Sequence, residues 1–421
     1  MRGIKVALGL TIGVLAAVPA NAWNRQIPTT MAVLPATVEG IAVGADNNVY
    51  AVSTSLLDNG NGELFVIPPE CGPCTDILPR QITGLPANAN LLGLAFTLEL
   101  TPRLVVAENN SGQVFALNTA AIGNVPATLV MTIPMANRPG YLNAITVETF
   151  LAPGVISNRI YVSDSSNGGI WVKDLSATGT QATPWIMAGT DPNGLLLPPQ
   201  PPPFPAKLFP NCCGANGLAF SAGGTRMYVA NTGWRNIIQI PVTFGSGNPP
   251  APIAGMPFIL ATGINGPDGI AVQKTEPGIN RIWVAANQSD EIVIIDGAGF
   301  NTNPPLTTTP GRVIDKMGDF NGLTGEVGAR HPVGLLFPAS VAFSNDGQTL
   351  YVTNPAFTQF VPACNPPPAP PPNCTPANPG APPSIDSAWT AVVNPPPPAT
   401  NPRSPVVTFE RIVGFTPPPF P

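Results

Sequence analysis

The sequence predicts an all-β protein, a six-bladed β-propeller with mostly four-stranded blades and proline-rich surface loops. Three observations predict this class. The 421 residues include 42 Gly and 56 Pro, and only 10% are charged, which excludes a helical bundle and is typical of short strands joined by turns. A strand–turn–strand repeat recurs six times, and a third strand usually follows it. A closed ring of such repeats leaves no long exposed sheet edge.

The first 22 residues predict a secretory signal peptide. A basic start, MRGIK, precedes an apolar segment from Val6 to Val18 and the small-residue site Ala20-Asn21-Ala22, the pattern of a cleaved export signal. The apolar segment is too short to span a bilayer. We therefore expect cleavage after Ala22, an exported protein without a membrane span, periplasmic or extracellular, and one propeller domain over residues 23–421.

The six repeats define the predicted blades. They are VEGIAVGADNNVYAVS, LLGLAFTLELTPRLVVAEN, LNAITV with NRIYVSDSS, ANGLAFSAGGTRMYVANT, PDGIAV with NRIWVAANQ, and ASVAFSNDGQTLYVTN. Third strands follow as GELFVI, GQVFAL, GGIWVK, NIIQIP and EIVIID. Blades thus start near residues 38, 91, 142, 215, 267 and 338, at steps of about fifty to about seventy residues, the length of a propeller blade with its loops.

Proline-rich insertions interrupt this pattern near residues 198–205 and 362–384. Polyproline cannot donate ladder hydrogen bonds and favours an extended helix, so both insertions are expected to be surface loops. A docking peptide for a protein partner is the alternative interpretation. After the second insertion, SAWTAVV and VTFERIV are expected to supply the outer strands of the last blade.

Six cysteines in an exported chain predict disulfides. Their spacing suggests local pairs: Cys71 with Cys74, the adjacent Cys212 and Cys213, and Cys364 with Cys374. Connectivity is not fixed by spacing alone, and Cys212 and Cys213 are equally compatible with pairing elsewhere.

A polar residue directly precedes the apolar run in four of the six repeats. These residues are Glu39, Asn143, Asn216 and Asp268, while Leu92 and Ala339 hold the same place in the other two. The first strand of each propeller blade lines the central channel, so these six residues, the column, are expected at one height around the axis. Two carboxylates and two amide oxygens match the ligands of Ca²⁺. The competing interpretation is that each residue caps a strand or bonds loop backbone.

The second strands also end in polar residues, which should surround the same end of the channel. These are Asn109, Asp164, Asn231, Asn287 and Asn354. Of these, Asn231 and Asp164 are predicted to contact a substrate, although solvated hairpin turns explain such residues equally well.

The segments NGLAFS at 216–221 and PDGIAV at 267–272 resemble the senescence-marker-protein/gluconolactonase/luciferin-regenerating (regucalcin-like) family of six-bladed calcium-dependent lactonases. The resemblance extends from Val38 to Asn354 and is shared with NHL-like repeats. It implies that Glu39, Asn216 and Asp268 bind the metal, and that Asn143 meets substrate or metal-bound water.

Two departures from the family pattern bear on the substrate. Ile41 and its neighbours replace the usual Pro and Trp after the first Glu-Gly, and Tyr141 stands where the family has an arginine two residues before Asn143. Tyr141 is predicted to contact the substrate, and a lactone or ester more apolar than gluconolactone is as compatible with this change as gluconolactone itself.

These observations predict a calcium-dependent hydrolase that opens a lactone or related ester with metal-activated water, with Asp268 and Asn143 as catalytic residues. The alternative is a non-catalytic exported NHL/YVTN-type propeller that binds a partner; a quinone-dependent sugar dehydrogenase is a third class. The sequence argues against a Ser–His–Asp triad, because His331 is the single histidine and no G-x-S-x-G motif occurs. A formal net charge of −5 argues against nucleic-acid binding.

Overall fold

The computed structural model describes residues 29–54, 62–72, 74–134, 142–148, 158–187, 191, 193–198, 213–246, 250–276, 279–289, 291–296, 312–318, 335, 338–354 and 407–412. Every helix or strand element in these ranges is a β-strand, which confirms the all-β prediction. Within this part of the chain, no helix is long and apolar enough to cross a membrane.

The strands alternate with short turns along the whole described chain. The first thirteen are β1 (Thr29–Leu34), β2 (Val38–Val43), β3 (Val49–Ser53), β4 (Glu63–Ile67), β5 (Arg80–Thr83), β6 (Leu91–Phe96), β7 (Leu104–Glu108), β8 (Gln113–Leu117), β9 (Val125–Thr132), β10 (Leu142–Val147), β11 (Arg159–Asp164), β12 (Gly169–Asp174) and β13 (Thr183–Ile186). The others are β14 (Ala215–Phe220), β15 (Arg226–Asn231), β16 (Asn236–Phe244), β17 (Pro252–Ala254), β18 (Phe258–Thr262), β19 (Pro267–Glu276), β20 (Ile279–Ala286), β21 (Glu291–Asp296), β22 (Arg312–Gly318), β23 (Ser340–Phe343), β24 (Leu350–Asn354) and β25 (Val407–Ile412).

The strands group into antiparallel units, which we number along the chain. Unit 1 is β2–β5, unit 2 is β6–β9, unit 3 is β10–β13, unit 4 is β14–β18, unit 5 is β19–β22, and unit 6 is β23–β25 with β1. Units 1 and 2 share one continuous sheet, because β5 pairs in parallel with β9. In unit 4 the long strand β16 pairs with β18 near its start and with β17 near its end.

The first strands of the units form a closed ring around an axis. Each of β2, β6, β10, β14, β19 and β23 contacts the next, and β23 contacts β2 again. An apolar cluster fills each junction between neighbouring units, including the junction of unit 6 with unit 1.

Strands inside a unit are buried on both faces, and β7 shows why. Leu104 and Val106 pack against unit 1, whereas Val105 and Ala107 pack against unit 3. Successive side chains of a strand point to opposite faces, so a strand sandwiched between two units needs a continuous apolar run. The run LVVA in β7 meets this need.

The N-terminal strand completes the last unit. Strand β25, from the predicted VTFERIV segment, pairs with β24 on one side and with β1 on the other. The sequence predicted that SAWTAVV would also be an outer strand there. Residues 387–393 lie outside the described part of the chain, and the edge of β25 is occupied by β1, a pairing that the repeat pattern did not predict.

The Cys71–Cys74 disulfide, predicted from spacing, is present and lies beside this junction. The backbone of Cys74 accepts a hydrogen bond from Val33 and donates one to Met31, each at 2.9 Å, so the disulfide loop of unit 1 holds β1. Cys213 is also disulfide-bonded.

Several predicted features lie outside the described residues. They are the signal peptide 1–22, Tyr141, His331, most of the 198–205 insertion, the whole 362–384 insertion, and Cys212, Cys364 and Cys374.

Candidate functional site

A β-bulge recurs at the start of the ring-lining strands. In β2, β6, β10, β14 and β19, two residues lie opposite one residue of the neighbouring strand, directly after the first paired residue. The second residue of each strand, the column residue, therefore falls in the bulge. Bulges re-aim side chains and are frequent beside functional sites. The repeated bulge gives the column residues a common local geometry.

A glycine follows the column residue in four units and lets adjacent strands approach closely. A Cβ on Gly217 would lie 2.0 Å from the backbone oxygen of Asp268, and one on Gly40 would lie 2.0 Å from that of Leu92. Gly93 and Gly269 meet the next column residue in the same way. Each glycine thus touches the column residue of the following unit, so column residues occupy successive places around the axis.

Two buried carboxylates belong to this ring, Glu39 from β2 and Asp268 from β19. They are 8% and 6% exposed. Burial, together with the nearby charge of Asp268, raises the pKa of Glu39 well above its usual range. Burial raises the pKa of Asp268 to about 7, although the neighbouring amides of Asn287 and Asn216 lower it. Neither acid takes part in an ion pair among the described residues, and a cation or a proton could compensate a buried carboxylate.

Asn287 holds one oxygen of Asp268. Its Nδ2 donates to Asp268 Oδ2 at 3.1 Å, while no residue in the described part of the chain hydrogen-bonds its buried Oδ1. This hydrogen bond involves Oδ2 of Asp268 and not its Oδ1. Asn287 follows β20 within the same unit, which puts it beside the start of β19.

Asn216 from β14 presents a second unpartnered oxygen. Its Nδ2 donates to Thr232 Oγ1 at 3.0 Å, and its buried Oδ1 has no hydrogen-bond partner among the described residues. Asn143 is buried at the equivalent place in β10. Leu92 and Ala339 complete the column with apolar side chains that are also buried.

This donor set fits a hard divalent cation. It consists of oxygen only, with two carboxylates of raised pKa and an unpartnered amide oxygen, the chemistry that Ca²⁺ accepts. Among the described residues, no group of three or more His, Cys, Asp and Glu side chains could hold a metal. The candidate site instead combines two carboxylates with amides.

Buried hydroxyls join neighbouring units at this level of the ring. Ser165 donates to the backbone oxygen of Ala215, Thr232 to that of Pro267, and Thr353 to that of Glu39. Thr54 donates to Asn90 Oδ1, linking unit 1 to unit 2. Each of these bonds crosses from one unit to the next near a column residue.

Two residues predicted to contact substrate have structural contacts. Asp164 accepts hydrogen bonds from the backbone of Ser166 and Asn167 in its own hairpin turn. Asn231 Nδ2 donates to the backbone oxygens of Leu195 and Leu197. The Asp164 contacts match the hairpin-turn interpretation, as does the bond that Asn231 Oδ1 accepts from the backbone of Trp234, whereas Leu195 and Leu197 lie outside that hairpin. A substrate role for either residue stays a prediction.

Sequence reasoning did not select Asn287 or Thr232 for the site. Asn287 was one of five polar strand ends with similar surroundings in the sequence. Thr232 had a weaker signal: the hydroxyl residue follows the polar strand end in Asn231-Thr232, as it does in Asp164-Ser165. In the structure, Asn287 is distinguished from the other polar strand ends by its hydrogen bond to Asp268, and Thr232 is distinguished by its hydrogen bond with Asn216.

No family model matches the chain, and no curated protein matches its sequence. The fold is similar to that of a luciferin-regenerating enzyme, with 13% identity, a TM-score of 0.49, and coverage of 93% of this chain and 94% of the other. It is also similar to a calcium-binding regucalcin from Agrobacterium tumefaciens strain C58, at 14% identity and a TM-score of 0.45, covering 79% and 85%. A protein assigned as a gluconolactonase gives 15% identity and a TM-score of 0.45, covering 79% and 89%.

These neighbours bear the names of the family that the sequence resembles. With identities this low and TM-scores below one half, the likenesses carry no argument about site or activity.

Proposed function

We propose that the six units are the blades of a six-bladed propeller and that its central site binds Ca²⁺ to hydrolyse a lactone or related ester. The observation that carries this proposal is the ring position of Glu39, Asn216 and Asp268. Three separate strands supply two buried carboxylates and an unpartnered amide oxygen. Such a group is unfavourable unless it is compensated, and a cation provides the compensation.

Glu39, Asn143, Asn216 and Asp268 would hold the ion in this proposal. When bound, the cation supplies Lewis acidity at the substrate carbonyl and lowers the pKa of water. Asp268 accepts a proton from the attacking water at Oδ1, since Asn287 occupies Oδ2. In the ion-free protein the pKa of Asp268 is about 7. A bound cation would lower this pKa and keep Asp268 in the carboxylate form that accepts a proton.

The substrate is proposed to carry apolar substituents. Leu92 and Ala339 occupy the column places on either side of Glu39 in the ring order. Apolar walls of this kind fit the body of a lactone or ester better than a fully hydroxylated sugar. Tyr141 is also proposed to contact the substrate, because it lies two residues before Asn143 in the sequence.

The protein is proposed to act after export, in the periplasm or outside the cell. The Cys71–Cys74 disulfide supports this location, because structural disulfides persist in oxidising compartments. The signal-like segment at residues 1–22 supports it independently.

The test is hydrolysis of a panel of lactones and esters by the purified mature chain, followed by pH-stat with chelator and then with added Ca²⁺. We expect turnover that is lost with chelator and restored by Ca²⁺. Asp268→Ala should lower kcat at least about a hundredfold, because it removes both a ligand and the proton acceptor.

Asp346→Ala is the matched control for the loss of a carboxylate. Asp346 is exposed and accepts a hydrogen bond from Ser344 in a turn, so its removal should leave turnover unchanged. Calcium binding without hydrolysis of any panel member would favour the non-catalytic exported propeller. Hydrolysis that is indifferent to chelator would contradict the metal mechanism.

A further inference from the structure

We propose that Thr232 is a positioning residue that fixes the orientation of the Asn216 amide and thereby directs Asn216 Oδ1 to the ion. This inference rests on the proposed calcium site. It concerns a residue outside the ligand set, and its argument comes from the direction of two hydrogen bonds.

The two bonds form a short chain between neighbouring units. Thr232 Oγ1 donates to the backbone oxygen of Pro267 at 2.7 Å, and Asn216 Nδ2 donates to Thr232 Oγ1 at 3.0 Å. Thr232 is 4% exposed and Asn216 is 3% exposed, so water competes little for either bond. These two hydrogen bonds join Asn216, the column residue of unit 4, to Pro267, which directly precedes the column residue of unit 5.

The donor and acceptor of each bond follow from the backbone carbonyl of Pro267 at the end of this pair of hydrogen bonds. A backbone carbonyl only accepts, so the single hydroxyl proton of Thr232 must point to Pro267. Thr232 Oγ1 is then an acceptor toward Asn216, and only the NH₂ group of an asparagine can donate to it. The nitrogen of Asn216 is therefore held at Thr232, and no described residue hydrogen-bonds the oxygen.

The other bridging hydroxyls bond to atoms that are not column side chains. Thr54 bonds Asn90 Oδ1, and Ser165 bonds a backbone oxygen. Joining two units is thus common to these hydroxyls, whereas orienting a candidate ligand is particular to Thr232. The amide of an unheld asparagine presents nitrogen or oxygen with similar ease, and a nitrogen-first orientation repels a cation.

The test compares Ca²⁺ affinity of the mature chain by calorimetry for wild type, Thr232→Val, Thr232→Ser and Thr54→Val. We expect Thr232→Val to weaken binding about 10- to 100-fold, the range for residues that orient metal ligands. Thr232→Ser keeps the hydroxyl and should restore affinity close to wild type. Thr54→Val removes an equivalent bridge beside the apolar Leu92 and should leave affinity unchanged.

Two outcomes overturn the proposal. Equal affinity of Thr232→Val and wild type shows that the hydroxyl does not orient the ligand. Equal weakening by Thr54→Val or by Thr232→Ser shows that general damage to the ring, and not the hydroxyl at Thr232, lowers affinity.

A measurement on metal-free protein separates this inference from the calcium proposal. The side-chain NH₂ resonances of Asn216, assigned by their absence in Asn216→Asp, should show a hydrogen-bonded shift in wild type and Thr232→Ser. Loss of that shift in Thr232→Val supports the positioning role even if wild type binds no Ca²⁺, an outcome that would refute the proposed function alone. An unchanged shift in Thr232→Val overturns the positioning role.

Discussion

At the scale of single residues, the site is defined by groups that are buried without full compensation. Glu39 and Asp268 are carboxylates in a ring of strands, and the pKa of each is raised chiefly by burial. The oxygens of Asn216 and Asn287 are buried without hydrogen-bond partners. Buried polar groups are normally satisfied, and the cation that we propose would provide a partner for oxygens of this kind.

The raised pKa values predict how the stability of the calcium-free protein depends on pH. Between the pKa of an unfolded carboxyl, about 4, and the native value of about 7 for Asp268, the native state binds more protons than the unfolded state. The free energy of unfolding should therefore fall as pH rises through this window and level off above it. Thermal unfolding with chelator across this range measures the effect.

Glu39→Gln is the matched variant for this prediction. It removes one titrating carboxyl and its repulsion of Asp268, so the fall in melting temperature should be smaller than in wild type. Added Ca²⁺ should stabilise wild type more at neutral pH than at pH near 5, because protons compete for the same oxygens. Stability that rises with pH in this window would contradict the assignment.

At the scale of elements, the bulge and the glycine after it bring the ring-lining strands together. The bulge places the column residue, and Gly40, Gly93, Gly217 and Gly269 let the next strand approach within a distance that excludes a Cβ. Close approach of two backbones is one of the uses of glycine in a strand. The glycine of the repeat is therefore a packing requirement of the ring.

Gly217→Ala tests this packing requirement. Its Cβ would lie 2.0 Å from the backbone oxygen of Asp268, and backbone cannot move away as a side chain can. We expect a loss of about 1–3 kcal/mol in the free energy of unfolding, measured by urea denaturation, together with weaker Ca²⁺ binding.

Gly223→Ala is the control, because a Cβ there meets nothing within 4 Å. Its effect should stay within about 0.5 kcal/mol, as for an ordinary surface substitution. If both variants were equally stable, the close approach at Gly217 would not limit the packing of the ring.

At the scale of the whole molecule, the ring is closed by the N-terminal strand. Strand β1 pairs with β25 of unit 6 and also bonds the disulfide loop of unit 1 through Cys74. The apolar cluster at this junction includes Met31, Leu34 and Cys71. One strand thus contacts both the first and the last unit, as ring closure requires.

The double variant Cys71→Ala/Cys74→Ala should weaken this closure. A disulfide that closes so short a loop contributes about 2 kcal/mol in the chain-entropy model, so the free energy of unfolding should fall by that amount. Backbone amides of β1 should also exchange faster with solvent, because the loop that holds Met31 and Val33 becomes less restrained.

Gly72→Ala, in the same loop, is the control, since a Cβ there meets nothing within 4 Å. It should leave both stability and exchange near wild-type values. Unchanged exchange of β1 in the double variant would show that the disulfide does not hold the closing strand.

The sequence alone determined the features set by local patterns. Alternating and continuous apolar runs specified strands, so the all-β class and the third strands such as GELFVI and EIVIID were predictable. The Cys71–Cys74 pair was predictable because its two members are neighbours in the chain. The equivalence of Glu39, Asn143, Asn216 and Asp268 followed from aligning the repeats.

The tertiary structure alone decided the features that depend on distant parts of the chain meeting. The pairing of β1 with β25 joins the two ends of the described chain, and the repeat pattern carries no information about that register. The same holds for Asn287 at Asp268 and for Thr232 between Asn216 and Pro267. Side-chain periodicity fixes which face of a strand is buried, whereas the direction of a hydrogen bond depends on which partners the closed ring brings within reach.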